Sequence, residues 1–577
     1  MATRLNTLSR ELNIGIGTLI EMLNSLGYKE NDLTDNSKIP DDIAILMKGL
    51  YSEGISLFKF IDIISTLKTI GYIDLDAYND PKCTRSLTTP PLKYSEKQDF
   101  WINELAILSP SQNVNYINVG SFDDPEAFPL YSILIGTNGA GKSSLMKELV
   151  DFFIDLHAYV NKSEARLSSS NKGRLKGVKY HIDGVECEVI KLGKNYFAKI
   201  DGHIRLLKDL RLPTIVACHF GAFEKFPTQK INGSTQTKYD VPYYKYVGAH
   251  VNGNLISSST IAFRLLFALN EQMDNRQRQN ICSILDFIGY DHRISLSYSL
   301  VMKSKKSGDA REVISQRVEK DREYRNFSKQ EKNEKIIQLY KFYNQKASSN
   351  KIRYDYHIDF DSDNPSKESF DELQYIYKLK QYDLVSSANV IFHKQECNIT
   401  SEDMSSGEFA ILSTVLSISA AADNPHTLVL LDEPELSLHP NWQMTLIDNL
   451  DRALANQVCH MIIATHSHML VSDLPVKRSS VTQLEKDEKG NLNAIAISEC
   501  TYGWSAEEVL LKVFKTATDR NRYFGERIGR LLEKMGNNSI QPKEVADELK
   551  ELQEISRHLS DIDPMKTILN TIVETYK

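Results

Sequence analysis

No two cysteines in this chain stand in a C-x-x-C pair. The seven present (Cys83, Cys187, Cys218, Cys282, Cys397, Cys459, Cys500) are scattered, which speaks against a zinc ribbon and against a disulfide framework. They read as small buried hydrophobes. Long apolar runs are missing too. No window approaches the ~18 residues needed to cross a bilayer, and MATRLNTLSREL lacks the apolar stretch of a secretion signal. The expected compartment is the cytoplasm, with no membrane contact. Basic charge is not in excess: 69 Lys and Arg against 76 Asp and Glu leave −7, so any surface for a polyanion has to be local. Repeats and low-complexity tracts are absent. What remains is a globular composition, 41% hydrophobic and 25% charged, over 577 residues. That is too long for one core, and two or three domains are expected.

Residues 1–50 read as a small all-α module: a helix, a turn near Gly15 and Gly17, an amphipathic second helix, and a third over PDDIAILMKGL. Residues 51–95 continue as helix and end in a Pro-rich linker, CTRSLTTPPLKYSEKQ. An α/β body is expected from 96 to 480. Within it, Lys303–Arg353 carries 15 basic and 7 acidic residues, and with helical spacing it reads as an inserted basic arm, about 303–380. Such an excess in an acidic protein points to DNA or RNA, against the plainer reading of a solvated helix. Residues 481–577 begin with a short strand-like piece and continue as amphipathic helices suited to holding a partner.

The chemistry-bearing motifs follow one another along the body. Gly136-Thr137-Asn138-Gly139-Ala140-Gly141-Lys142-Ser143 is a complete G-x-x-x-x-G-K-S loop, with Ser144 behind it, between the apolar run SILI and the helix SSLMKELVDFFIDLHAYV. Its glycines let backbone amides turn onto phosphates at a helix N-terminus. Lys142 supplies a cation to the terminal phosphates and Ser143 a hydroxyl to Mg²⁺. TLVLLDE (427–433) reads as a buried parallel strand delivering two acids at its edge. Asp432 is placed for the Mg²⁺ shell and Glu433 to orient or deprotonate the attacking water. Ser405, Ser406, Gly407 and Glu408 open a further helix and offer a second anion site. MIIATHSH (461–468) reads as a third buried apolar strand ending in His466, the position at which ABC-type ATPase heads, which this run resembles, carry a histidine that contacts the γ-phosphate; His468 reads as structural. The same resemblance implies a glutamine after a further strand, but the candidate strand TIVACHF (214–220) ends in histidine and phenylalanine instead.

Together these motifs resemble those of ABC-type ATPase heads, with MSSGE in the position of the signature that caps ATP held by a second subunit. The resemblance implies an α/β P-loop fold, ATP and Mg²⁺ as cofactors, and a homodimer closed through the ATP sites. A gap of 263 residues from Lys142 to Ser405 is far longer than in transporters and fits heads with inserted arms, as in the RecF-like and overcoming-lysogenization-type ATPases. LSLHP (436–440), with His439 where aspartate is usual, and Tyr502-Gly503-Trp504-Ser505-Ala506-Glu507-Glu508-Val509-Leu510 resemble the ATPase subunit of Septu-type and retron-associated anti-phage systems, the PtuA group. That implies a partner nuclease of the His-Asn-His class and none in this chain. The first 50 residues resemble the N-terminal module of bacterial translation initiation factor 2. A repair-type clamp and a nucleotide-gated scaffold stand as the alternatives.

Overall fold

A computed structural model describes residues 2–48, with breaks at 13–14, 26–32, 41–42 and 45–46, and residues 92–575 with further breaks. The longest of these are 162–172, 220–224, 229–238, 256–274, 302–308, 362–366, 511–521, 537–541 and 559–563. The expected helix and linker at 51–91 lie outside the described residues.

The N-terminal region contains β1 (Ala2–Arg4), α1 (Leu5–Leu12), α2 (Ile16–Ser25) and β2 (Lys38–Pro40). The two helices fall where their apolar spacing puts them, and Ile43, Ala44, Met47 and Lys48 of the third segment are helical. This region is not all-α. β1 and β2 pair antiparallel, with Thr3 opposite Ile39, two β-branched residues in a ribbon too short to show a sequence period.

The body then runs β3 (Phe100–Leu108), β4 (Val114–Asn118), β5 (Leu130–Ile135), α3 (Lys142–Val160), β6 (Leu175–Ile182), β7 (Val185–Leu192), β8 (Asn195–Ile200), β9 (His203–Arg205), β10 (Thr214–Cys218) and β11 (Tyr244–Tyr246). After the short strands β12 (His250–Val251) and β13 (Asn254–Leu255) come α4 (Asn275–Ile288), β14 (Arg293–Leu300), α5 (Ala310–Lys320), α6 (Lys329–Ala347), β15 (Tyr354–Asp359), α7 (Lys367–Gln381), β16 (Val385–Lys394), β17 (Cys397–Thr400) and α8 (Ser406–Ala421). The chain ends with β18 (Thr427–Asp432), α9 (Pro440–Ala453), β19 (Cys459–Ala464), α10 (His468–Val471), β20 (Ser479–Lys486), β21 (Leu492–Ile497), α11 (Arg522–Gly536), α12 (Pro542–His558) and α13 (Pro564–Thr575).

Three sheets organise these elements. The central one has the order β11-β10-β18-β19-β5-β20-β21 and is parallel except for the β20–β21 pair. Strands β5, β18 and β19 are buried at every position, which is why they read as continuous apolar runs rather than alternating ones. In an open parallel sheet ligands sit beyond the C-terminal strand ends. Here the ends of β10, β18, β19 and β5 lie side by side. A six-stranded antiparallel sheet, β4-β3-β6-β7-β8-β9, shares a core with α3 and one face of the central sheet through Phe100, Leu145, Phe153 and Leu428.

The third sheet, β15-β14-β16-β17, leads into α8. Here the arm expectation needs correcting. Helices α5, α6 and α7 do not protrude; Ile314, Val318, Leu339 and Leu373 are buried in one core with β14, β15 and β16. Part of the basic excess is spent internally, in Arg317–Asp383, Lys332–Glu319 and Lys346–Glu372 pairs. A second correction concerns the boundary at 480, which falls inside β20; the central sheet continues to Ile497. Beyond it, α11, α12 and α13 form a separate small core around Leu531, Leu552 and Leu569, tied by Arg527 to Glu548 and Glu551 at 2.7 Å each. Among the described residues no helix is long and apolar enough to cross a membrane.

A polar seam joins the central and antiparallel sheets, and it makes stability pH-dependent. His460 of β19 is fully buried; its Nδ1 accepts from the Ile102 amide at 3.1 Å, so Nε2 carries the proton toward Ser132 Oγ at 2.8 Å. Burial pushes its pKa down to about 3, and burial likewise holds His157 at about 4. Both folded values lie below the unfolded value of about 6.5. Their contribution is therefore complete above that pH and is lost as pH falls toward 4 and then 3, at about 1.4 kcal/mol per unit of depression. The melting temperature should drop steadily from pH 6.5 to 4.5. A flat profile over that range would contradict the neutral, buried state of these rings.

Candidate functional site

The phosphate loop connects β5 to α3. At Gly136 φ is 155°, and a Cβ there would sit 2.3 Å from the carbonyl oxygen of Leu484, a backbone atom that cannot yield. Gly141, at φ 105°, caps α3 without any side-chain hydrogen bond, so the first amides of the helix are left for a ligand. Gly139 keeps the turn and its carbonyl accepts from Lys486 Nζ at 2.6 Å; Ala140 is buried beneath. Ser143 and Ser144 lie in the first helical turn. Asn138 falls outside the described residues.

Lys142 is 4% exposed, and its ammonium donates to the Gly136 carbonyl at 2.8 Å and to His466 Nε2 at 2.7 Å. Burial lowers its pKa to about 8, against the opposing pull of Glu433, Asp432 and Glu435. An ammonium only donates, so His466 accepts through Nε2 and holds its proton on Nδ1. Burial and the neighbouring Lys142 keep the ring below the ordinary imidazole range.

Asp432 ends β18, and its Oδ1 accepts from Ser143 Oγ at 3.1 Å. Burial raises its pKa, while Ser143 and His219 pull it back. A hydroxyl and a carboxylate side by side are hard oxygen donors of the kind Mg²⁺ takes, and the cation would keep the carboxylate ionised. Glu433 has the left-handed φ of 48°, uncommon for a residue with a side chain. Its amide donates to Ala464 O at 2.8 Å, which fixes that turn, and its Oε1 stands 3.7 Å from His466 Nε2. Glu435 accepts from the His466 amide at 2.7 Å, and burial raises its pKa. A hollow of about 600 Å³ opens beside these groups, lined by Glu433, Leu436, Gln443, His466 and Met469 among others.

The structure thus brings Lys142, Ser143, Asp432, Glu433 and His466 together, and sets Ser405, Ser406, Gly407 and Glu408 apart at the N-terminus of α8. There Ser405 Oγ accepts from the Glu408 amide at 3.2 Å and donates to Glu408 Oε2 at 2.8 Å. The Glu408 side chain is committed to this cap and to Lys394 at 3.4 Å, so backbone amides are what the segment offers an anion. His439 caps α9, its Nδ1 accepting from the Asn441 amide at 3.4 Å.

Sequence reasoning stopped short of His219. It is 3% exposed, follows β10 beside β18, and its Nδ1 lies 2.9 Å from the Asp432 carbonyl. A carbonyl only accepts, so Nδ1 carries the proton. In the neutral ring Nε2 then presents a lone pair, and that atom is buried with no hydrogen-bond partner among the described residues. A glutamine would offer a carbonyl oxygen in the same sense. The signal was an aromatic base directly after a buried strand, which only the strand order makes meaningful.

The segment after β21 is anchored close by. Thr501 Oγ1 donates to Val471 O at 2.7 Å and the Gly503 amide to Ser472 O at 3.1 Å, so the chain leading to the last helices is tied to α10, directly behind His466. Tyr502 and 505–507 of that segment lie outside the described residues.

The family model described as AAA ATPase domain matches residues 118–471, and the chain belongs to that family. The fold is that of an α/β P-loop ATPase, and the class defined is a nucleotide-binding ATPase. Among solved structures, an Smc head bound to the C-terminal winged-helix domain of ScpA is similar at 12% identity, with 69% of this chain and 98% of that one covered and a TM-score of 0.28. An Smc head with an extended coiled coil, bound to the C-terminal domain of ScpA from Pyrococcus furiosus, gives 12%, 69%, 96% and 0.29. The SMC head domain from Thermotoga maritima gives 10%, 69%, 99% and 0.27.

Proposed function

We propose that this chain hydrolyses ATP between two copies of itself and uses the closing and opening of that dimer to control a partner nuclease in an anti-phage defence complex. In this reading the phosphate loop, Lys142 and the amides at the start of α3 hold the triphosphate. Ser143 and Asp432 hold Mg²⁺, which would neutralise charge on the terminal phosphates. Glu433 takes the proton of the attacking water, and His466 contacts the γ-phosphate. Ser405, Ser406 and Gly407 of one subunit close over ATP held by the other, as the resemblance of MSSGE to the ABC signature implies.

The observation that carries the regulatory part is the tie between Thr501, Gly503 and α10. A change at His466 when γ-phosphate leaves reaches the C-terminal segment through two hydrogen bonds. The motif forms LSLHP and Tyr502–Leu510 support the defence setting by resemblance.

Co-expression with the adjacent gene product, followed by purification and parallel assays of ATPase and DNA cleavage across ATP concentrations, tests this. Nucleotide-dependent cleavage that needs both proteins is the expected result. ATPase activity stimulated by DNA with no co-purifying nuclease would replace it with a repair-type clamp.

A further inference from the structure

Four chemistry-bearing side chains that take no part in the ATP site meet where α4 lies beside the ends of β14 and β15. Cys282 and Asp286 stand on α4, His292 precedes β14, and Asp361 follows β15. One ligand atom each from Cys282, His292 and Asp361 lies within 4.8 Å of the other two. Asp361 Oδ1 is 2.6 Å from His292 Nδ1 and 3.9 Å from Cys282 Sγ. The edges of a tetrahedron with zinc bonds of about 2.0 Å to nitrogen and oxygen and 2.3 Å to sulfur are about 3.3–3.7 Å. The sulfur edge is already near that size, and the His292–Asp361 edge has to open by less than an ångström. The other imidazole nitrogen, Nε2, lies 2.9 Å from Asp286 Oδ1, at ion-pair distance but without hydrogen-bond alignment. A metal-bound histidine characteristically has a carboxylate at its other ring nitrogen, and a small turn of the Asp286 side chain would supply it.

We propose that Cys282 Sγ, His292 Nδ1 and Asp361 bind a zinc ion, with Asp286 orienting His292 from behind and water completing the shell. Thiolate, imidazole and carboxylate are the three ligand types zinc accepts, and this combination is poorly suited to Mg²⁺ or Ca²⁺. The ion would join α4 to the paired strands β14 and β15. Helix α4 is in turn held on α9 by Asn280 Nδ2 donating to Ala453 O at 3.2 Å and by Phe287 packed on Trp442. The ion therefore braces the lobe that presents Ser405–Glu408. Cys282 is only half-buried, unlike Cys187, Cys218 and Cys459, and Cys397 is exposed, so the reading of all described cysteines as core hydrophobes is corrected at these two positions.

The test uses full-length protein stripped with EDTA and kept free of nucleotide, so that the ATP site contributes no metal ligand beyond its own residues. Zn²⁺ is titrated in competition with a chromophoric chelator, and Co²⁺ is added separately to read thiolate-to-cobalt absorption. Expected are one zinc per chain, a cobalt charge-transfer band absent from Cys282→Ser, and a 10- to 100-fold loss of zinc affinity in Asp286→Asn, the range typical of outer-shell carboxylates. Cys282→Ser and Asp361→Asn should lose more. Fluorescent-ATP binding, which uses none of these residues, checks that each variant is folded. Zinc that the chelator removes completely from wild type overturns the proposal. So does zinc binding unchanged in Cys282→Ser, or a cobalt spectrum without a sulfur band, a readout that needs no variant to fold.

Discussion

Replacing Glu433 with Gln should leave ATP binding intact and cut phosphate release by about 10²- to 10⁴-fold, the span that positioned acid–base groups contribute. The amide keeps the side chain's size and hydrogen-bonding reach. The backbone that places it is held independently, through the amide bond to Ala464 O at 2.8 Å and the turn at φ 48°. Only the capacity to take a proton is removed. Because the half-buried carboxylate opens onto the hollow beside His466, the attacking water has room to approach from that side. The variant should also accumulate as an ATP-closed dimer, seen as a shift to twice the mass in light scattering when ATP and Mg²⁺ are added. Wild-type turnover in Glu433→Gln would falsify the assignment and move attention to Glu435 or His219. Slow turnover without dimer accumulation would instead separate the catalytic reading from the closure reading.

Lys142→Ala should lower nucleotide affinity about 10- to 150-fold, since a charge-assisted hydrogen bond is worth about 1.5–3 kcal/mol. It should do so in a pH-dependent manner. In the free protein Lys142 titrates at about 8, and triphosphate against it raises that value. Below pH 8 the ammonium is already present and affinity is at its plateau. Above pH 8 binding has to take up a proton, so wild-type affinity falls by up to tenfold per unit until the bound-state value is reached. The alanine variant has no such group and its affinity should be flat from pH 7 to 9.5. Fluorescent-nucleotide titrations at each pH decide this; parallel slopes in both proteins would show that another group titrates.

The groups these two predictions rest on were legible in the sequence because each depends on a few adjacent residues. A glycine-rich turn between an apolar strand and a helix needs only the eight residues Gly136–Ser143. Asp432 and His466 are marked by continuous apolar strands, whose burial on both faces is itself local information. The geometry among them was not legible. That β5 lies between β19 and β20, and that Leu484 backs the phosphate loop, follows from pairings hundreds of residues apart. The same holds for Cys282, His292 and Asp361, whose spacing of 10 and 69 residues matches no metal motif. The basic stretch misled for a different reason. Charge counts register the solvent face of α5 and α6, whereas Ile314, Val318 and Leu339, three apolar residues among many charges, decide that these helices pack.

One feature of the central sheet bears on how the protein is made. The phosphate-loop strand β5 has as neighbours β19 and β20, both from the last third of the chain. Leu484 and Lys486 of β20 press against Gly136 and Gly139 from outside. A ribosome-bound chain that has released the glycine-rich turn, its lysine and α3 still lacks the wall on which that turn is folded. The wall of the glycine-rich turn is therefore completed only when residue 486 has emerged, and by then Asp432, Glu433 and His466 have been made as well.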